Sequence, residues 1–211
     1  MTPKILQTSH WKLFIIVFGI PFVTAMAFMI TMVSLVISQR EPNPEAMLPI
    51  MFIFPAIGLI GAIVQFYWQW SVATGLQAYM HPEMRKLRIK RFKIFFFIPM
   101  IYMGVFILVM TIISTQIEPS NNGTSPNMMW AIPLFILAFL MHFFSIFCII
   151  YVLYFVAKTL KSVELQREAH FSDYIGDFFL IWFFPVGVWF IQPRINRIVQ
   201  GDQLDDTSLI D

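Results

Sequence analysis

The sequence predicts an all-α, polytopic integral membrane protein on three observations. Four apolar stretches are each long enough to cross a bilayer, charged residues are too few for a soluble fold, and cation-rich and cation-poor links alternate between the stretches. A helix that crosses a hydrocarbon core of ~30 Å needs roughly 20 residues at about 1.5 Å each. Charged residues are 12% of the 211, about half the usual ~25%, and hydrophobic residues are 58%. A soluble domain of this length has too little interior to hide 24 Phe and 14 Met. Lipid as solvent removes the difficulty.

Residues 13–37 form the first apolar stretch, preceded by Lys4 and Lys12. Ala25-Met26-Ala27 has the small-x-small look of a signal cleavage site. The apolar text runs ten residues further without a break, however, so an uncleaved helix is expected. The second stretch covers 48–72, with a helical extension to about 80. The third covers 94–117 and the fourth 130–156. Backbone polar groups in lipid must pair within the segment, so each is read as a helix.

Orientation follows from Lys and Arg. The N-terminal segment carries Lys4 and Lys12, and the first link only Arg40 beside Glu41 and Glu45. The second link holds Arg85, Lys86, Arg88, Lys90, Arg91 and Lys93; the third, Glu118 to Met129, has no basic residue. Lys158, Lys161 and Arg167 follow the fourth stretch. The N-terminus and the second and fourth links are therefore expected in the cytoplasm.

The last apolar segment, 175–192, leaves two readings open. Its most apolar part, Phe178 to Ile191, is 14 residues interrupted by Pro185 and Gly187. At about 21 Å of helix it is a short fifth span or a re-entrant or interfacial element. Arg194 and Arg197 directly after it favour return to the cytoplasmic side. Residues 200–211, with Asp202, Asp205, Asp206 and Asp211, read as a solvated, mobile tail.

Few residues carry candidate chemistry. The six cations from Arg85 to Lys93 suit a topology signal and a contact with anionic lipid headgroups, at about 1 kcal/mol each. His142 is the one ionisable residue deep inside a span, and Ala138, His142 and Ser145 recur at helical spacing. Gln65 and Gln69 reach a similar depth, so a Gln65–His142 hydrogen bond that joins two helices is expected to be within reach. Small residues at Gly58, Ala62, Ser71 and Gly75 allow close helix packing, within the chain or between copies.

His170, Asp173 and Asp177, at i, i+3 and i+7, share one face of a helix at the cytoplasmic surface. They are the candidate ligands for a divalent cation. Asp173 and Asp177 equally suit a helix start, where negative charge meets the positive end of the dipole. The single cysteine, Cys148, excludes an internal disulfide and a cysteine-based zinc site, and reads as a packing residue. No phosphate loop, Gly-x-Ser-x-Gly or His-Glu-x-x-His is present. Asn122-Gly-Thr124 is a sequon of significance only in a secretory pathway.

From Phe171 to Asn196 the text Phe-Ser-Asp-Tyr-Ile-Gly-Asp-Phe-Phe-Leu-Ile-Trp-Phe-Phe-Pro-Val-Gly-Val-Trp-Phe-Ile-Gln-Pro-Arg-Ile-Asn resembles the C-terminal signature of small multi-helix inner-membrane proteins of Bacteroidota. The resemblance implies a bacterial inner membrane and brings no catalytic residue or known activity with it. It also makes the sequon irrelevant. Trp182 and Trp189 suit the headgroup region.

Three functions fit these features. The first is a non-catalytic subunit or accessory component of a membrane complex. The second is a small oligomeric channel or transporter lined by Gln65, Gln69 and His142. The third is a lipid-active enzyme that uses His170, Asp173 and Asp177. The expected partners are membrane lipids and a membrane-protein partner or further copies of the chain, without nucleic acid. No cofactor is expected.

Overall fold

The computed structural model describes residues 3–38, 44–81, 89–116 and 131–207, and every regular element among them is a helix. They are α1 (His10–Phe14), α2 (Ile20–Ser38), α3 (Pro44–Gly75), α4 (Ile89–Gln116), α5 (Ala131–Leu165), α6 (Phe171–Trp182) and α7 (Phe184–Thr207). Short 3-10 turns cover Lys4–Gln7 and Leu76–Tyr79, and a π-helical turn, Ile15–Gly19, joins α1 to α2.

Four stretches are long and apolar enough to cross a membrane: His10–Leu35, Pro55–Tyr79, Ile89–Ile113 and Ile132–Leu165. Only 6% to 33% of their most apolar windows is buried, so these helices turn their apolar side chains outward, as a multi-pass membrane protein does. Several of their hydroxyls are satisfied locally, whereas the buried hydroxyls of Ser71 and Thr159 find no hydrogen-bond partner. Thr24, Thr31, Ser34 and Thr111 each donate to the carbonyl four residues back.

The chain divides into two compact units: residues 1–85 with 156–211, and residues 86–155. In the first, Pro21 lacks the N–H that would reach the Val17 carbonyl, and the helix takes its π-helical turn just before it. The freed backbone packs against α3 at Gly61. A Cβ there would lie 3.1 Å from the Val17 oxygen and 3.4 Å from that of Ile16. Gly75 serves the N-terminal strap in the same way, since a Cβ would stand 2.9 Å from Leu6 Cδ1. Of the small residues singled out in the sequence, Gly75 therefore packs within the chain, whereas Gly58 meets nothing within 4 Å and the close approach falls on Gly61, three residues on. Trp68, Val72, Leu76, Phe184, Val188 and Ile191 form the buried centre, with Trp68 edge-on to Phe184 at 5.2 Å.

The fourth expected span ends at 156, whereas α5 continues to Leu165 and stops at Gln166, whose φ of 48° is left-handed. The Gln166 amide group anchors that turn by donating to the Val163 and Tyr79 carbonyls, and the Ala169 N–H donates to Ser162 Oγ. The last apolar segment is a helical hairpin. Phe183, at φ −88° and ψ 59°, breaks α6, and its carbonyl accepts from Val186 and Gly187. A Cβ at Gly187 would fall 1.7 Å from the Leu180 oxygen, so α7 folds back directly on the end of α6. Pro185 sits in the first turn of α7, where its missing N–H has no partner to lose. Pro193 lies inside α7, which runs on into the stretch read as a mobile tail.

The second unit pairs α4 with the first part of α5. Phe92 stacks on Phe155 at 4.9 Å, Phe95 meets Tyr151 at 4.6 Å, and the Tyr102 hydroxyl donates to the Ala138 carbonyl at 3.1 Å.

Candidate functional site

The most organised polar side chains lie on α7, two residues apart and hence on opposite sides of the helix. Gln192 is fully buried. Its Oε1 accepts the Trp68 indole N–H at 2.7 Å. Its Nε2 donates to the Leu6 and Thr8 carbonyls at 3.0 and 2.9 Å and to Asn196 Oδ1 at 3.0 Å. One side chain thus joins α3, α7 and the strap formed by residues 3–8.

Arg194 faces the other way. Its Nε and Nη2 grip the two oxygens of Glu164 at 2.6 Å each, while Nη1 and Nη2 grip those of Asp177 at 2.6 and 2.8 Å. A planar guanidinium is the one side chain that presents two such forks. The side chains of Arg194 and Asp177 are 22% and 8% exposed, so the pair is largely withdrawn from water. Lys161 adds a second cation to Glu164 at 3.1 Å, which balances two carboxylates with two cations. The Asp177 carboxylate, and then that of Glu164, raise the Arg194 guanidinium above its ordinary value against the opposing effect of burial.

The three candidate metal ligands have separate engagements. Asp173 accepts the His170 backbone N–H at 3.0 Å and pairs with Arg167 at 2.9 Å, which closes the capping box at the start of α6 with His170 as the N-cap. The His170 N–H, followed by Arg167, holds its carboxyl below the usual range. Asp177 belongs to Arg194. Among the described residues, no three His, Cys, Asp or Glu side chains come together to hold a metal.

The intramembrane polar candidates are distributed over both units. Gln69 is buried and Gln65 half-buried in α3. His142 lies on the exposed side of α5, with its ring 6.0 Å from that of Tyr102, while Ser145 and Cys148 are buried. Lys90, Arg91 and Lys93 stand exposed on the first turns of α4. Arg85, Lys86, Arg88 and the Asn122 sequon lie outside the described residues.

The Gln192 and Arg194 clusters escape a sequence reading because their partners are distant along the chain: 124 residues for Trp68 and 30 for Glu164. The available signal is a pair of strong hydrogen-bonding groups, Gln192 and Arg194, around a proline in an otherwise apolar segment. No protein-family model, curated protein or solved structure matches the chain.

Proposed function

We propose that the protein is a non-catalytic subunit or accessory component of a membrane complex. In this reading it is a multi-pass protein of a bacterial inner membrane with its N-terminus in the cytoplasm. The observation that carries the reading is the use made of the strongest polar groups: Gln192 and Arg194 are spent on joining segments of the chain. The charges of Glu164 and Asp177 are likewise committed to Arg194. These arrangements hold a scaffold rigid. The exposed position of His142 lends little support to a lined pore.

The C-terminal hairpin is the part presented by that scaffold. Phe179, Trp182, Phe183, Val186 and Phe190 project exposed from its tip, and the Arg194 cluster lies at its base. At 12 residues, or about 18 Å, α6 reaches little more than half of a ~30 Å core. The α6 start and the α7 stretch beyond Arg194 lie on the same side of the tip, which supports a re-entrant or interfacial element over a fifth span. The resemblance of residues 171–196 to Bacteroidota inner-membrane proteins and the cations of the second link support the localisation and orientation.

The test is purification from the native membrane in mild detergent, with mass spectrometry of what co-elutes. A stoichiometric protein partner is the expected result, and the chain recovered alone or only with copies of itself overturns the subunit reading. Cysteines placed at Ser172 and Gly201 report on the hairpin. Labelling of both from one side of the membrane supports re-entry, and labelling from opposite sides rejects it.

A further inference from the structure

The second unit contains a groove of about 380 Å³ between α4 and α5. Its walls include Ile98, Tyr102 and Val109 on one helix and Leu134, Ala138 and Phe144 on the other. The Tyr102 hydroxyl is the one polar side-chain group in the lining, and it is spent on the Ala138 carbonyl within the wall itself. A polar solute finds no side chain there to bind. From Ile98 to Val109 the groove runs eleven residues, about 16 Å, close to the ~15 Å depth of hydrocarbon in one leaflet.

Its register with charge supplies the second half of the argument. Arg91 precedes Ile98 by seven residues, two turns of helix, and therefore stands on the groove's own face at about 10 Å from its end. Lys90 flanks it, and both are exposed. Between them and the groove lie Ile94, itself exposed, and Phe95, whose ring rests against Tyr151. A cationic head position, a short apolar neck and an apolar channel one leaflet long follow each other along one helix face.

We propose that this groove holds one acyl chain of an anionic phospholipid whose headgroup sits at Arg91 and Lys90. The site is fixed in position: the aromatic contacts of Phe92 and Phe95 with Phe155 and Tyr151 join the two helices beneath it, and the Tyr102–Ala138 bond joins them inside it. The inference rests on the multi-pass reading but not on the presence of a partner protein, so it can fail or succeed apart from the co-purification result.

The test uses the full chain in phosphatidylcholine vesicles that contain a minor fraction of either spin-labelled phosphatidylglycerol or spin-labelled phosphatidylcholine. The immobilised fraction of each label is the readout. Wild-type protein is expected to hold phosphatidylglycerol about thirtyfold more strongly, given two cations at a membrane surface. Lys90→Gln with Arg91→Gln brings that ratio close to one. Ala138→Phe and, independently, Val105→Trp, at a position in the α4 wall between Tyr102 and Val109, fill the groove and release the immobilised chain while the cations remain. Circular dichroism confirms that each variant keeps its helices, and Val105→Trp serves if Ala138→Phe does not fold. Equal retention of the two lipids by the wild type overturns the proposal. So does undiminished phosphatidylglycerol retention in a folded groove variant, which would assign binding to charge alone. A dimer that the groove variants dissolve, without loss of immobilised lipid, would assign the groove to a second copy of the chain.

Discussion

Trp68 donates its indole N–H to Gln192 Oε1 at 2.7 Å, and through that bond the last third of α3 is tied to the helix that ends the described chain. Both residues are buried, so neither group has water to turn to when the other is removed. Gln192→Leu strands the Trp68 N–H and removes the donor to the Leu6 carbonyl, at about 1–3 kcal/mol for each buried group left unpaired, while the Thr8 carbonyl keeps only the longer Asn196 bond. The expected loss is a clearly lower thermal midpoint in detergent, with a smaller loss for Trp68→Phe. A double-mutant cycle should show strong coupling between the two positions. Additive effects would mean that the bond contributes little.

Arg194 is held by two carboxylates, and its removal leaves both without their main cation. Arg194→Met is expected to cost about 3–5 kcal/mol, the range for breaking a buried pair from one side. Adding Glu164→Gln and Asp177→Asn should return much of that loss, because the stranded charges go with it. Arg194→Lys should not substitute, since one ammonium cannot serve two forks. Denaturant titration of the four proteins decides the point, and a triple variant as unstable as Arg194→Met would contradict it.

Gly187 and Gly61 present a graded steric test. The Gly187 Cβ position overlaps the Leu180 backbone, so Gly187→Ala must open the hairpin, and loss of the folded protein is expected. Gly61→Ala needs a shift of only a few tenths of an ångström against Val17, at about 1 kcal/mol, the low end of overpacking. Gly104→Ala meets nothing within 4 Å and should be neutral or slightly stabilising. Yield and thermal midpoint give the order directly, and equal behaviour of the three would refute it.

Acid should loosen the start of α6. The Asp173 carboxyl is held below its ordinary value by the His170 N–H and by Arg167, so folding favours its ionised form. That contribution is complete above the ordinary value of about 4 and is lost as pH falls through the lowered value in the folded protein. Asp173→Asn should therefore be less stable than the wild type at neutral pH. The difference should shrink to nothing in strong acid. A gap between the two that stays constant with pH would remove the ionised cap from the account.

The four long apolar helices are legible in the sequence because length and composition alone decide them: a run such as 94–117 holds no charged residue to interrupt it. The C-terminal hairpin is less so. Pro185 and Gly187 read as breaks, yet α6 breaks at Phe183 and Pro185 lies in the first turn of the next helix, which also carries Pro193 within it. A proline signals the loss of one N–H and leaves open whether the helix had a use for it. The i, i+4 spacing of Asp173 and Asp177 is likewise visible. Which cation each meets depends on Arg167 and Arg194, and on the way α7 folds back to bring the second of these within reach. Glu164 reads as one more surface charge until that return is known.

The strap formed by residues 3–8 is fastened by a side chain that lies 184 to 187 positions later. Synthesis runs from the strap towards Gln192, so until α7 has been made and has folded back, Trp68 has no acceptor and the strap no fastening. A polypeptide interrupted between α6 and Gln192 would keep a loose strap open to proteases, whatever its earlier helices have already achieved.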